Sequence, residues 1–163
     1  MEYDRQKRIV RGWIVFFIIA LVLSGATAFA LESELNWLLA HWPGRADSAL
    51  HYWVLKVYDA LQDMNARYPF LAYGYDWLAF AHLVIAVVFI GVYRDPVRNK
   101  WILGFGMIAC VMVFPLAWIA GAVRGIPVYW RLIDCSFGVI GIVPLFICYR
   151  KVVWMEKMGA PLP

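Results

Sequence analysis

Charge is what this sequence has least of. Only 16% of its 163 residues are Asp, Glu, Lys or Arg, while 64% are apolar and 17% aromatic; an ordinary globular chain carries about 25% charge. That balance excludes a water-soluble domain and points to the bilayer as solvent. Histidine is scarce as well, with three residues, of which only His82 lies in a long apolar run. A haem held by two spans needs two facing histidines, and zinc needs ligands at a recognised spacing, which His41 and His51 lack. Neither a cofactor nor a metal is therefore expected. The three cysteines, Cys110, Cys135 and Cys148, all fall within apolar runs and form no Cys-x-x-Cys pair, which excludes a disulfide framework and the quinone-linked thiol oxidases. No glycine-rich phosphate loop follows a strand; Gly104 and Gly106 sit inside an apolar run. The net charge of +4 comes from short scattered groups with no basic face, so lipid headgroups rather than nucleic acid are the expected partners. There are no repeats or biased tracts, and no irregular tails beyond the first few and last few residues.

What is present is apolar length. Four stretches reach the roughly 20 residues that a helix needs to cross a hydrocarbon core: Gly12–Leu31, Phe70–Tyr93, Trp101–Val123 and Val128–Tyr149. The chain reads as an all-α polytopic membrane protein, a single four-transmembrane-helix bundle over residues 1–163 with an external amphipathic helical segment, 32–68, between spans one and two. Ten of the fifteen Lys and Arg fall at the start, in the Arg94–Lys100 connection and at the end. By the positive-inside rule these are cytoplasmic, so both termini are inside and the Arg124–Pro127 turn is outside. The inner side then carries +6 and the outer side −2. Trp13, Trp101 and Trp154 fall at the inner interface and Trp37, Trp42, Trp53 and Trp130 at the outer one. The first span also mimics a secretory signal, with an Arg-rich start and an Ala28-Phe29-Ala30 cleavage-like site. Because the apolar run continues to Leu31, it is read as a retained anchor, which N-terminal sequencing decides.

The 32–68 segment predicts two short helices. One is capped near Ser33 and stops at Trp42-Pro43-Gly44. Asp47 is expected to cap the other, whose Leu50, Trp53, Val54, Val57, Tyr58, Leu61 and Met64 recur at three- and four-residue steps. Its opposite face holds His51, Lys56, Asp59 and Asp63. Such a helix lies on the outer leaflet or lids the bundle.

The charges inside the spans carry the functional question. With a rise of about 1.5 Å per residue, Asp76 and Asp134 lie about 9 Å, and Arg131 about 5 Å, below the outer ends of their spans. Arg124, at the outer end of the third, reaches the same layer. His82 sits deeper, on the face of Tyr75, and Gly138 and Gly141 continue below Asp134. Ionisable groups at this depth pair or face a wet cavity. One reading is a structural ion-pair network. The other is an outward-facing pocket walled by Asp76, Arg124, Arg131 and Asp134, with His82 beneath, Tyr75 on the same helix face as His82, and Glu32 and Glu34 above. Pro115 and Pro144 interrupt the third and fourth spans, each freeing a carbonyl.

The runs Asp76-Trp77-Leu78-Ala79-Phe80-Ala81-His82, Arg94-Asp95-Pro96-Val97-Arg98-Asn99, Phe105–Cys110, Arg124-Gly125-Ile126-Pro127 and Trp130–Gly138 resemble an uncharacterised family of bacterial four-span integral membrane proteins. The resemblance covers the last three spans. It implies a bacterial cytoplasmic membrane and no assigned activity or functional residues. The plan of four spans with a sizeable outer segment is also similar to the sterol-isomerase family, an architectural analogy implying acid–base chemistry among spans. Three functions follow as expectations: binding or moving a small amphipathic or ionic ligand from outside; an intramembrane acid–base enzyme using Asp76, His82 or Asp134; or an accessory subunit, with a membrane-protein partner or a second copy against its Trp-rich faces.

Overall fold

The computed structural model describes residues 1–159, so the expected irregularity of the last few residues lies mostly outside it. The described chain is helical and without strands: α1 (Glu2–Phe29), α2 (Leu31–Ala40), α3 (Ala49–Arg67), a 3-10 turn (Pro69–Ala72), α4 (Tyr73–Arg94), α5 (Lys100–Pro115), a π turn (Leu116–Ala120), α6 (Gly121–Val123) and α7 (Val128–Gly159). Four helical stretches, Glu2–Phe29, Pro69–Arg94, Lys100–Val123 and Val128–Gly159, are long and apolar enough to cross a membrane. Two ends differ from the sequence expectation. α1 begins at Glu2, so the first residues are helix rather than tail. α7 continues past Tyr149 because Cys148, Val152 and Met155 keep one face buried at helical spacing.

The chain divides into two compact units. The first comprises Met1–Ile18 and the chain from Val87 onward. Its core is formed by Val10, Ile14, Phe89, Val92, Leu103, Leu145, Cys148, Val152 and Met155, all essentially inaccessible. Close contact between apolar helices is aided by small residues that let backbones approach. α5 and α7 meet in this way. Gly106 leaves room for Leu145 and Phe89, and a Cβ at Gly138 would stand 2.6 Å from the Cys110 carbonyl oxygen.

Polar ties close one end of this unit. Arg11 donates from Nε to the Tyr93 carbonyl (2.9 Å) and from its terminal nitrogen to that of Arg94 (3.2 Å). A cation from α1 thereby satisfies the last carbonyls of α4, where the helix dipole is negative. The Asn99 amide donates to the Gly91 and Asp95 carbonyls at 3.0 and 2.9 Å, ordering the α4–α5 connection. Lys100 pairs with Glu156, and Lys151 Nζ donates to Gln6 Oε1 at 2.6 Å. The start of α1, the α4–α5 connection and the end of α7 are thus neighbours.

The second unit, Ile19–Ala86, holds the rest of α1, α2, α3 and the first turns of α4. Gly25 fits against the Ala79 carbonyl, 2.8 Å from where its Cβ would stand. α3 buries Val54 and Leu61 from its expected stripe. Its cap is Ser48, whose hydroxyl accepts from the His51 amide at 3.2 Å, not Asp47. Asp47 stands one residue too early and instead takes a two-pronged bond from Arg45, at 3.0 and 2.7 Å. α2 starts at Leu31 without a side-chain cap, so Ser33 lies inside it. Only Ala30 separates it from α1, and the Ala30 carbonyl accepts from the Glu34 amide (2.9 Å).

Candidate functional site

In the first unit the polar residues cluster where α5 gives way to α7. Pro115 has no N–H to offer the preceding turn, and the helix beyond it widens into the π turn Leu116–Ala120. α6 then ends in a left-handed cap. Gly125 takes φ 66°, its N–H bonds to Ala122, and the Ile126 N–H reaches back to Gly121. These are the paired bonds of a Schellman stop, a conformation glycine adopts without a Cβ penalty. Pro127 follows, and α7 begins at Val128.

That stop decides what the arginines do. It leaves the Ile126 carbonyl facing α7, and Arg131 Nε donates to it at 2.7 Å. The stem of Arg131 lies over Gly121, where a Cβ would come within 2.9 Å of it. Among the described residues no ion pair joins Arg124 or Arg131 to Asp134. Arg124 is exposed and Asp134 half-buried. Both line an open groove of about 250 Å³ whose remaining wall is mostly apolar, with Val113, Leu116, Ala117, Ala120 and Ile126.

The other expected residues belong to the second unit. Half-buried Asp76 lines a largely aromatic hollow of about 310 Å³ with Phe29, Tyr73, Trp77 and Phe80. His82, about 120° around α4 from Asp76, bonds through Nδ1 to the Leu78 carbonyl of its own helix at 2.8 Å. Glu34 is exposed along α2, beside a shallow hollow with Leu31, Trp37 and Leu38. Glu32 and Tyr75 are brought together by a residue the sequence reading passed over. Asn65 donates to Glu32 Oε2 at 2.6 Å and accepts from the Tyr75 hydroxyl at 3.3 Å, tying α2, α3 and α4. Asn65 stands four residues after Leu61, on the buried stripe of α3. Its four-residue spacing from Leu61 is the signal in the sequence, because an amide on that face is half-buried and calls for partners.

Among the described residues no three His, Cys, Asp or Glu side chains gather as metal ligands. What the fold defines is a helical protein with four helices of membrane-spanning length and composition. Compared with protein-family models, curated proteins and solved structures, the chain matches none.

Proposed function

We propose that this is a multi-pass protein of a bacterial cytoplasmic membrane, with both termini cytoplasmic, that binds a small amphipathic ligand in the groove between α5 and α7. The observation that carries the reading is an apolar wall ending at two opposite charges, Arg124 and Asp134, that are not spent on each other. A ligand lays its chain along Val113, Leu116 and Ala117 and its ionic head beside one charge. The π turn on the same wall supports this, because such turns recur at functional sites. α2 and α3 belong to the outer side in this reading, as does the Arg124–Pro127 turn. The acid–base alternative rests on His82, whose Nδ1 is bonded to its own helix, and no observation favours it.

The test uses dodecyl phosphate and dodecylammonium, titrated separately against the full chain in phosphatidylcholine nanodiscs, with the melting temperature as readout. At least one is expected to raise it. Arg124→Gln should abolish the effect of the phosphate and Asp134→Asn that of the ammonium, with unliganded melts unchanged. No shift with either probe, or shifts that survive both substitutions, would overturn the proposal.

A further inference from the structure

The first unit has a second polar hollow, at the far end of α7. Arg150 lies about 24 Å along that helix from Asp134. The hollow, about 310 Å³, is lined by Arg150, Lys151 and Trp154 from α7 and by Glu2 and Gln6 from α1. Its one carboxylate is already engaged. Glu2 accepts from Gln6 Nε2 at 2.6 Å through one oxygen and faces Arg5 at 3.7 Å through the other. Glu156, the other acid near this end of α7, is paired with Lys100. Neither Arg150 nor Lys151 forms an ion pair with Glu2, so the lining holds two cations against one carboxylate that is turned to Gln6 and Arg5, a net charge of +1.

Both cations are held in place. The Arg150 guanidinium lies over the Phe146 ring, 5.9 Å from its centre, and Lys151 Nζ is fixed by Gln6 Oε1. A lysine bonded to a neutral amide keeps its charge and two further N–H donors. Trp154 brings an indole to the same wall, the side chain that membrane proteins place at headgroup level. A guanidinium, an ammonium and an indole around one hollow match a phosphodiester that carries acyl chains. Basic pockets between helices at a membrane surface hold such headgroups.

We infer that the hollow formed by Gln6, Arg150, Lys151 and Trp154 is a binding site for the headgroup of an anionic glycerophospholipid. The site is separate from the α5–α7 groove, and its occupancy does not depend on what that groove binds.

The full chain is released from nanodiscs of phosphatidylcholine containing 20% phosphatidylglycerol, and retained lipids are counted by native mass spectrometry. One phosphatidylglycerol should be retained in preference to phosphatidylcholine. A direct hydrogen bond from a charged side chain is worth about tenfold or more in affinity, so Arg150→Gln should weaken that retention at least about tenfold. Lys157→Gln, which removes an equal charge on the same helix but outside the hollow, should leave it unchanged. Inorganic phosphate at millimolar concentration should not displace the lipid; displacement would show a soluble-phosphate site and overturn the assignment to lipid. Equal losses in the Arg150 and Lys157 variants would reduce the effect to diffuse attraction and also overturn it. A melt of Arg150→Gln in pure phosphatidylcholine that matches the parent protein excludes misfolding as the cause.

Discussion

A methyl group added at Gly138 would stand 2.6 Å from the Cys110 carbonyl oxygen, and backbone cannot swing aside as a side-chain tip can. At Gly12, inside α1, the same methyl meets nothing within 4 Å. The two positions look alike in sequence, each a glycine in an apolar helix, and have opposite expected costs. Gly138→Ala forces α5 and α7 apart and should destabilise by about 1–3 kcal/mol, the usual range for overpacking. Gly12→Ala should stabilise by up to about 1 kcal/mol through helix propensity alone. Thermal melts of both variants in one detergent test the pair. A Gly138 variant that melts no lower than the parent would show that the α5–α7 contact is looser than described.

The helices show what local rules decide and where they fail by one residue. At the start of α3, Asp47 and Ser48 are both good capping residues, and only the backbone chooses between them. Ser48 has the extended φ and ψ of a cap (−78°, 147°), which leaves Asp47 to Arg45. Ser48→Ala should cost about 1 kcal/mol, seen as faster hydrogen exchange at the His51 amide, whereas Ser48→Asp should keep the slow rate. Asp47 answers to acid instead. The Arg45 guanidinium bonded to it holds its carboxyl below the ordinary value, so its folded form binds the proton less readily than its unfolded form. Stability from the pair is present above the unfolded value, near 4, and is lost as pH falls through the lower folded one. Because both partners are exposed the effect is small. It should appear as an Asp47 carboxyl resonance titrating below the ordinary carboxylate range, and return to that range in Arg45→Gln. The α5–α7 turn was less legible. Pro115, Gly125 and Pro127 mark a break in any reading, but the Arg131–Ile126 bond follows from the left-handed turn at Gly125 and is invisible to helical spacing. Rise per residue gives the depth of a charge; it does not give the partner.

Four helices of membrane-spanning length were legible in the sequence because about twenty apolar residues leave little room for another reading. The last turns of α7 were not, since their charges dilute an apolar face that only the packed neighbours reveal. Asn65 was missed because it stands among Gln62, Asp63 and Arg67 at the polar end of α3, and its partners, Glu32 and Tyr75, are distant in sequence. The sequence gathers ten of its fifteen bases at the two termini and the Arg94–Lys100 connection. In the first unit these three segments are neighbours, through Arg11 on the Tyr93 carbonyl, Lys100 on Glu156 and Lys151 on Gln6. The excess of bases therefore lies at one end, where the positive-inside rule favours the cytoplasm. Cysteine introduced singly at Lys7, Arg98 or Lys157 should react with an impermeant maleimide only after cells are opened. Cysteine at Asn36 or Arg45 should react in intact cells. The three native cysteines are buried or half-buried in helices, and the unsubstituted chain measures their background. Labelling of both termini in intact cells would reverse the orientation and leave the α1–α7 contact standing. Labelling of Lys7→Cys in intact cells while Lys157→Cys stays protected would contradict the contact itself, since Gln6 and Lys151 are hydrogen-bonded and cannot lie on opposite sides of one bilayer.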